Sequence, residues 1–338
     1  MTATRLGPWV LGLGALLACS KGEPPGSSGA APVADAAPTL SASSEWVPVP
    51  EPGDSTPATM KLLDPGRPPR RAMRYAWRPK QSETLTLDLR TSASTDDGTS
   101  KQPEIALPPV HIVLAIDPQE LSPAGDLTYS WRVTSTAVKT DPQTPSSLAD
   151  GMRAEVTAIA HLSGSGVVTA RGLSTRVTVE VAATMDGGAT GQMVEQVRQT
   201  LRDVAAAFPE EEIGVGARWE KLSQLASRDT RVTQTETFTL AEATGDTGKI
   251  DDVLAQTAPP QPLLTPGAAG DAHARIESML ASGTGKTRFD LARLVPQTTF
   301  EGTTTMVVSG RLPPADDPNG ERMTMIMRVG IVLAGTLR

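Results

Sequence analysis

The sequence predicts an α+β fold dominated by β-structure, in which a strongly curved antiparallel sheet, or two half-sheets, carries two amphipathic helices packed on it. Three observations predict this fold. Apolar and polar residues alternate in many runs after about residue 70, turn-forming residues separate the runs, and only two segments have helical spacing. A sheet of that many strands must curl, close or split. We assign these elements to one globular body, 67–338.

Strands are expected where the alternation has period two. Every second residue is apolar in the four clearest runs, 84–90, 127–134, 177–181 and 323–333. Because alternate side chains point to opposite faces of a strand, one face of each strand is expected to be buried. Asp-Pro-Asn-Gly at 317–320 predicts a hairpin, and Gly-Ser-Gly at 164–166 is also interpreted as a turn.

Helices are expected near 147–162 and 190–208, where apolar residues recur every three or four positions. Their apolar faces would contain Leu148, Met152, Val156 and Ile159 in the first, and Met193, Val197, Leu201, Val204 and Phe208 in the second. Ser147 and Asp150 resemble a capping box at the first helix. Neither polar face is rich in lysine or arginine, which favours packing on a core over binding to a membrane surface.

The N-terminus predicts export and lipid anchoring. Residues 1–18 have a charged Arg5 and an apolar segment too short to cross a membrane, as in a signal peptide. Leu-Leu-Ala-Cys at 16–19 resembles the lipobox of bacterial lipoproteins. That resemblance implies cleavage before Cys19 and anchoring by several acyl chains, and Ser20 favours the outer membrane. The alternative is an ordinary signal peptide with an unrelated cysteine.

A disordered tether is expected between the anchor and the body. Residues 19–66 are rich in proline, alanine and serine, so they bury too little apolar surface to offset the entropy lost on ordering. The formal net charge of −7, without a basic block, argues against nucleic acid as a partner. Cys19 is the single cysteine, so no intrachain disulfide can form.

Two aromatic pairs are the candidate ligand-binding residues. Tyr75 and Trp77 occur in Arg-Tyr-Ala-Trp-Arg, and Tyr129 and Trp131 occur in the similar Thr-Tyr-Ser-Trp-Arg. Each pair would lie on one strand face, and the four rings would form a cross-strand cluster if the strands were neighbours. Packing in the core and lining a ligand pocket both remain open.

One segment resembles a nucleotide-binding motif. Gly-Thr-Gly-Lys-Thr at 283–287 matches the end of a phosphate-binding P-loop, but Leu280 occupies the position of the first glycine. The residues that follow alternate like a strand rather than forming the required helix. A β-turn is therefore predicted at 283–287, without bound nucleotide.

No catalytic or metal-binding set is recognisable. His111, His161 and His273 lie far apart in the sequence and match no ligand spacing. Neighbouring acids such as Asp251 and Asp252 are expected to point apart on a strand and to be solvated. No catalytic residue, metal site or cofactor is therefore assigned.

The segment 208–219 carries a further resemblance. Phe-Pro followed by Ile-Gly-Val-Gly-Ala-Arg-Trp resembles an element of uncharacterised bacterial lipoproteins that share a lipobox, a low-complexity tether and a β-rich body. The family has no established activity, so the resemblance implies no catalytic residue. Gly214 and Gly216 would allow a tight backbone corner beside Trp219.

Two classes of function compete at this point. The first is a lipid-anchored envelope protein with a non-catalytic binding or scaffold role. One form of it would bind an apolar small molecule and be similar in outline to lipoprotein-carrier half-barrels. The second is an envelope hydrolase whose acids and histidine meet only in the fold. The lack of a recognisable catalytic set favours the first, with the membrane as partner through acylated Cys19 and no protein partner named.

Overall fold

The computed structural model describes residues 58–337 apart from 79–80, 97, 99, 141–143, 181–193, 195–196, 228–229, 264–273 and 311–320. The predicted signal peptide, Cys19, most of the tether and the predicted 317–320 turn lie outside the described residues. In chain order the elements are β1 (Thr59–Asp64), β2 (Arg71–Ala72), β3 (Glu83–Asp96), β4 (Ile105–Ala106), β5 (Val110–Leu121), β6 (Leu127–Val138), α1 (Ser146–Ala158), β7 (Ser163–Val168), β8 (Ser174–Glu180), β9 (Glu212–Ile213), β10 (Arg218–Ser227), β11 (Thr230–Thr244), β12 (Thr247–Ala258), β13 (Gln261–Leu263), β14 (Ala274–Asp290), β15 (Gln297–Gly310) and β16 (Glu321–Leu337). Residue 194 and residues 197–202 belong to a second helix.

An antiparallel sheet of 14 strands makes up most of the described structure. Its order is β1-β10-β11-β12-β14-β15-β16-β3-β5-β6-β7-β8, with β4 beside β3 and β13 beside β14. The predicted dominance of antiparallel β-structure is confirmed. Burial alternates along β3, where Leu85, Leu87 and Leu89 are buried. We call the sheet face that carries the hydrophobic core the inner face.

Strand structure begins earlier than the sequence predicts. β1 lies within 19–66, the interval assigned to the tether, and pairs with β10 from Thr59 opposite Leu222. Its half-buried residues, Met60 and Leu62, pack against the core. Two alternating apolar residues beside a proline-rich stretch are too short a pattern to reveal a strand.

Two glycine-rich segments that were interpreted as turns are strands. Residues 164–166 lie in β7, and residues 283–287 lie in β14. A Cβ atom at Gly166 would overlap the Tyr129 ring, so the glycine marks the close approach of a neighbouring side chain. Glycine inside a strand often has this role, and here it was mistaken for a chain reversal.

α1 overlaps the first predicted helix, and its buried residues include Met152 and Val156. The helix packs against β6. The predicted capping box is wrong, because the helix begins before Ser147. Pro145 occupies the N-cap position, and no side chain caps the helix there. Asp150 instead lies within ion-pair distance of a neighbour one turn along the helix.

The second helix, described at 194 and 197–202, lies within the predicted 190–208 segment but ends before residue 203; residues 190–193, including Met193, and 195–196 lie outside the described residues. Val197 and Leu201 are buried as expected, and Phe208, which follows the helix, is buried as well. The Tyr129 hydroxyl donates to the Leu201 carbonyl oxygen at 3.3 Å, which links the helix to β6. Among the described residues, no helix has the length and apolarity needed to span a membrane.

A crossing segment, 65–82, connects β1 at one edge of the sheet with β3 in its middle. The Tyr75 amide donates to the Ala170 carbonyl, and the Ala76 amide donates to the Leu291 carbonyl, both at 2.8 Å. Ala170 lies between β7 and β8, and Leu291 lies between β14 and β15. The crossing segment therefore ties together turns that are far apart in the strand order.

Candidate ligand-binding cavity

A cavity of about 100 Å³ lies on the inner face of β10, β11, β12, β14, β15 and β16, which we call the cavity half of the sheet. Residues 203–207, which precede β10, line another side. Its apolar lining includes Phe238, Ile250, Leu254, Phe300, Ile331 and Leu333. Its charged lining consists of Asp203, Lys221, Glu236 and Asp252. The cavity therefore joins an apolar wall to an ionic cluster.

Two glycines of β14 make room beside the cavity. A Cβ atom at Gly283 would overlap the Phe300 ring from β15, and one at Gly285 would overlap the Asp252 carboxylate from β12. Without those Cβ atoms, a ring and a carboxylate can lie over β14 from its two neighbouring strands. Thr287, further along β14, bonds Thr298 across the strands at 3.0 Å. The Gly-Thr-Gly-Lys-Thr segment thus serves packing beside the cavity.

Lys221 is the cation of the ionic cluster. Its Nζ atom lies 2.5 Å from Asp203 Oδ1 and 2.8 Å from Glu236 Oε2, and the residue is 8% exposed. Burial alone would lower the pKa of Lys221, but the two carboxylates outweigh that effect and raise it. Burial also raises the pKa of Glu236 despite the attraction of Lys221. Lys221 therefore remains charged and neutralises part of the acidic cluster.

Asp252 has no such cation. Burial, assisted by the charges of Glu236 and Asp251, raises its pKa to about 7. Its Oδ1 atom is shielded from solvent and has no hydrogen-bond partner among the described residues. Asp251, the next residue, is exposed on the opposite face of β12. The two acids point apart as expected, but Asp252 is not solvated, and the sequence prediction was wrong on that point.

Two buried glutamines extend the polar surface along the same strands. Gln234 on β11 lies opposite Gln256 on β12, and Gln256 Nε2 donates to Gln234 Oε1 at 2.6 Å. The two residues are 0% and 1% exposed. The remaining amide atoms, Gln234 Nε2 and Gln256 Oε1, have no partner within the described structure. Neither glutamine lines the cavity, so the pair is a separate buried polar contact between β11 and β12.

Tyr75 and Trp77 belong to the crossing segment rather than to a strand. Their rings stack at a centroid distance of 4.1 Å, and Tyr75 lies 5.8 Å from Phe208. The Tyr75 hydroxyl donates to the Ala206 carbonyl at 3.1 Å, and Trp77 Nε1 donates to the Gly125 carbonyl at 3.0 Å. These bonds fix both rings at the end of the sheet where the crossing segment lies.

Tyr129 and Trp131 lie on the inner face of β6 and are buried. Gly166 and Gly164 of β7 give their rings room. The condition for a four-ring cluster is not met, because Tyr75 and Trp77 do not lie on a neighbouring strand. Different residues line the cavity described above, and a role for these four rings in binding remains a prediction.

Neither of the described histidines, His111 and His161, lines the cavity. His111 Nδ1 lies 2.9 Å from Asp88 Oδ1, which also contacts Lys139 Nζ at 3.0 Å. Burial alone would raise the pKa of Asp88, but the hydrogen bonds from His111 and Lys139 lower it. His161 is exposed, and His273 lies outside the described residues. Within the described ranges, no cluster of three or more candidate ligands could hold a metal ion.

The ionic cluster was missed at the level of sequence, although the alternation contained a signal. Lys221 follows Trp219 at a spacing of two on β10, and Asp252 follows Ile250 in the same way on β12. A charged residue at a position where the alternation predicts a buried side chain costs folding free energy unless it has a partner. Charged residues at such inward-facing positions on adjacent strands are therefore candidates for a shared buried site.

The 208–219 element forms the corner that holds the crossing segment. The Gly214 amide donates to the Pro65 carbonyl at 2.9 Å, and the Arg67 amide donates to the Val215 carbonyl at 3.0 Å. A Cβ atom at Gly214 would overlap the Arg67 backbone. This close approach requires glycine, and it links the corner to the chain that leads from β1.

Comparison with known proteins provides no assignment. No family model matches the chain, and no curated protein matches it. Among solved structures, a match to Pseudomonas aeruginosa OccK8 (OprE) has 8% identity and covers 77% of this chain and 100% of that one. Its TM-score of 0.15 is too low to support an argument about fold or function.

Proposed function

We propose that this chain is a lipid-anchored protein of the bacterial cell envelope that binds a small ligand without catalysing a reaction. The cavity carries this proposal, because it combines an apolar wall with a solvent-shielded carboxylate oxygen, Asp252 Oδ1, that has no partner among the described residues. Ligand sites commonly have this composition, since apolar surface supplies affinity and a few polar groups fix orientation.

We also infer that the sheet is strongly curved and that both helices pack on its inner face. Arg171, in the turn between β7 and β8, has its Nη2 atom 3.7 Å from Met60 Sδ in β1. β1 and β8 are the two ends of the strand order, so this contact supports curvature that brings the edges together. The bond from Tyr129 to the second helix supports its packing inside.

The cavity volume limits the ligand. At about 100 Å³ the cavity is smaller than the roughly 300–1,000 Å³ of sites that hold drug-sized ligands. A long acyl chain exceeds that volume. The apolar ligand expected from the sequence is therefore narrowed to a small molecule, or to one end of a longer molecule that enters the cavity.

The hydrolase alternative would need a histidine beside the acids. Among the described residues, the cavity is lined by Asp203, Glu236 and Asp252, but by neither His111 nor His161. The Lys221 ammonium that accompanies these acids is held charged, so it is a poor base. Binding is the function that these groups support better.

Native mass spectrometry of the full-length protein, purified in neutral detergent from its own host, tests the binding proposal. We expect a small molecule that remains bound under gentle conditions and is released on denaturation. Retention of the N-terminal lipid provides the internal control for intact protein. A fully lipidated chain that carries no ligand in any charge state would contradict the proposal.

The anchor is proposed from the lipobox resemblance and is tested separately. Wild-type protein should incorporate labelled palmitate and sediment with outer membranes, whereas Cys19→Ala should do neither. If the two proteins label and sediment alike, acylation of Cys19 is excluded. The membership proposed for the chain, among uncharacterised lipoproteins with the 208–219 element, would then lose its main support.

A further inference from the structure

We propose that the cavity binds a small organic cation, such as a primary ammonium group on a short alkyl chain, at the Asp252 carboxylate. This inference rests on the proposed binding function and names the chemical class of its ligand. It is carried by three features of the described structure: the charge balance of the ionic cluster, the placement of Asp252, and the carboxylate oxygen of Asp252 that has no hydrogen-bond partner.

The charge balance of the cluster leaves one carboxylate without a counterion. Asp203 and Glu236 both lie within 2.8 Å of the Lys221 ammonium. Gln199 Nε2 adds a hydrogen bond to Asp203 Oδ2 at 2.8 Å. Asp252 shares the cavity with these groups but contacts none of the described cations. An ammonium ligand would supply the missing positive charge, whereas an anion would face three carboxylates.

The backbone places Asp252 so that its carboxylate is available. In the β12–β14 register Asp252 lies opposite Gly285, where a Cβ atom would overlap Asp252 Oδ1 and Oδ2. The glycine therefore allows the carboxylate to lie across β14 beside the cavity. Its Oδ1 atom is shielded from solvent yet accepts no hydrogen bond from the described residues. Such an atom is a strong acceptor for a charged donor.

The chemistry of an ammonium group fits the unpartnered carboxylate oxygen. An ammonium group carries three donors and no acceptor, so it can donate to Asp252 Oδ1. The buried pair of Gln234 and Gln256 does not line the cavity and leaves one donor and one acceptor without partners among the described residues, so it does not bear on the charge of the ligand.

The apolar lining fits the rest of such a ligand. Phe238 and Phe300 line the same cavity as Asp252, and aromatic faces attract cations as well as alkyl groups. Ile250 and Leu254 flank Asp252 on the inner face of β12. The volume of about 100 Å³ matches a short alkylammonium better than a long chain.

The test uses n-propylammonium chloride as the probe, with n-propanol as its neutral analogue and sodium propionate as its anionic analogue. Binding to the full-length protein in neutral detergent is measured by isothermal titration at constant ionic strength. Asp252→Asn removes the carboxylate, and Asp251→Asn makes the same change of charge at the exposed neighbouring residue. Gly285→Ala keeps the carboxylate but occupies the space into which it extends.

We expect n-propylammonium to bind the wild type and Asp251→Asn alike, and to bind Asp252→Asn about tenfold or more weakly. Gly285→Ala should also weaken binding, and n-propionate should not bind. Equal binding of n-propanol and n-propylammonium, unaffected by Asp252→Asn, would overturn the cation proposal but leave a cavity that binds neutral apolar groups. Failure of every probe to bind the folded wild type would overturn the cation proposal. The proposal that the protein binds a small ligand is then decided separately, by native mass spectrometry of the protein purified from its host.

Discussion

The two halves of the sheet use their inner faces differently. In the half formed by β3, β5, β6, β7 and β8, which we call the helix-covered half, α1 packs against β6 and large side chains fill the interior. Tyr129 and Trp131 lie fully buried there. In the cavity half, Lys221, Glu236 and Asp252 occupy inner-face positions on three adjacent strands. One half is built for packing, and the other keeps space and charge.

Glycines show the same contrast. Gly164 and Gly166 of β7 lie against the rings of Trp131 and Tyr129, so the space beside them is occupied by these rings and, at Gly164, by the Thr178 backbone. Gly283 of β14 is likewise covered by Phe300, but Gly285 is covered by the Asp252 carboxylate. The same backbone device therefore produces a sealed core in one half and a polar site in the other. The difference lies in the side chain that the neighbouring strand supplies.

The largest expected effect is the loss of a ring in the helix-covered half. Trp131→Ala should lower the free energy of unfolding by about 3–5 kcal/mol, because the ring is buried and its removal leaves a cavity. Phe300→Ala in the cavity half should cost only about 1–2 kcal/mol, since that ring is half-buried and borders existing space. Urea unfolding measures the loss of free energy of unfolding in both variants. Equal losses would contradict the difference in packing between the two halves.

Removal of the buried cation should have the next largest effect. Lys221→Met should cost about 3 kcal/mol at pH 8, because Asp203 and Glu236 would remain buried without a counterion. The loss should shrink on acidification as Glu236, whose pKa is raised by burial, takes up a proton. Lys249→Met is the matched control, since its ion pair with Glu242 is exposed and should contribute under about 1 kcal/mol. Similar losses for the two variants would contradict a buried cluster.

A stabilising change is expected at Asp252. Folding raises its pKa from the ordinary 3.8 to about 7, so the folded chain holds this proton more tightly than the unfolded chain. The stabilisation is complete below about pH 4 and is lost as the pH rises through about 7. Asp252→Asn should therefore raise the free energy of unfolding by about 1–3 kcal/mol at pH 8 relative to wild type.

Asp251→Asn is the control for that prediction, because Asp251 is exposed on the other face of β12. It should change stability little at either pH. Urea unfolding of the three proteins at pH 5 and pH 8 gives the comparison. The free energy of unfolding of the wild type should fall between pH 5 and pH 8, and that of Asp252→Asn should fall less. An equal fall in both proteins would show that Asp252 does not cause this pH dependence.

The smallest expected effect is at the glycine beneath the carboxylate. Gly285→Ala should cost about 1 kcal/mol, because a Cβ atom displaces Asp252 while alanine otherwise suits a strand better than glycine. Gly330→Ala in β16 is the control, since its Cβ atom would meet nothing closer than 3.9 Å. Thermal unfolding should rank Gly285→Ala below wild type and Gly330→Ala at or above it.

The sequence predicted the structure correctly where the burial of a side chain follows from its own polarity and its spacing from nearby residues. Alternation predicted the strands because each apolar residue, such as Leu85 or Leu87, reports the face on which it lies. The predicted helical segments also bury apolar residues that the spacing identified, including Met152 and Leu201.

The sequence was uninformative where the environment depends on a neighbouring strand. Gly285 resembled part of a turn because nothing near it in sequence indicates that Asp252, in another strand, lies over it. Asp252 resembled a solvated acid for the same reason. Tyr75 and Trp77 alternate like strand residues but belong to the crossing segment, which long-range hydrogen bonds hold in place. Strand order, which joins these residues, is not encoded in local periodicity.

A crystal structure of the full-length protein grown with n-propylammonium chloride provides the most direct measurement. We expect the ammonium nitrogen inside the cavity half, within about 3 Å of an Asp252 carboxylate oxygen, with the propyl group toward Phe238 and Phe300. A cavity closed by repacked side chains, with the cation absent or bound only on the exposed face of the sheet, would contradict a ligand site in this half.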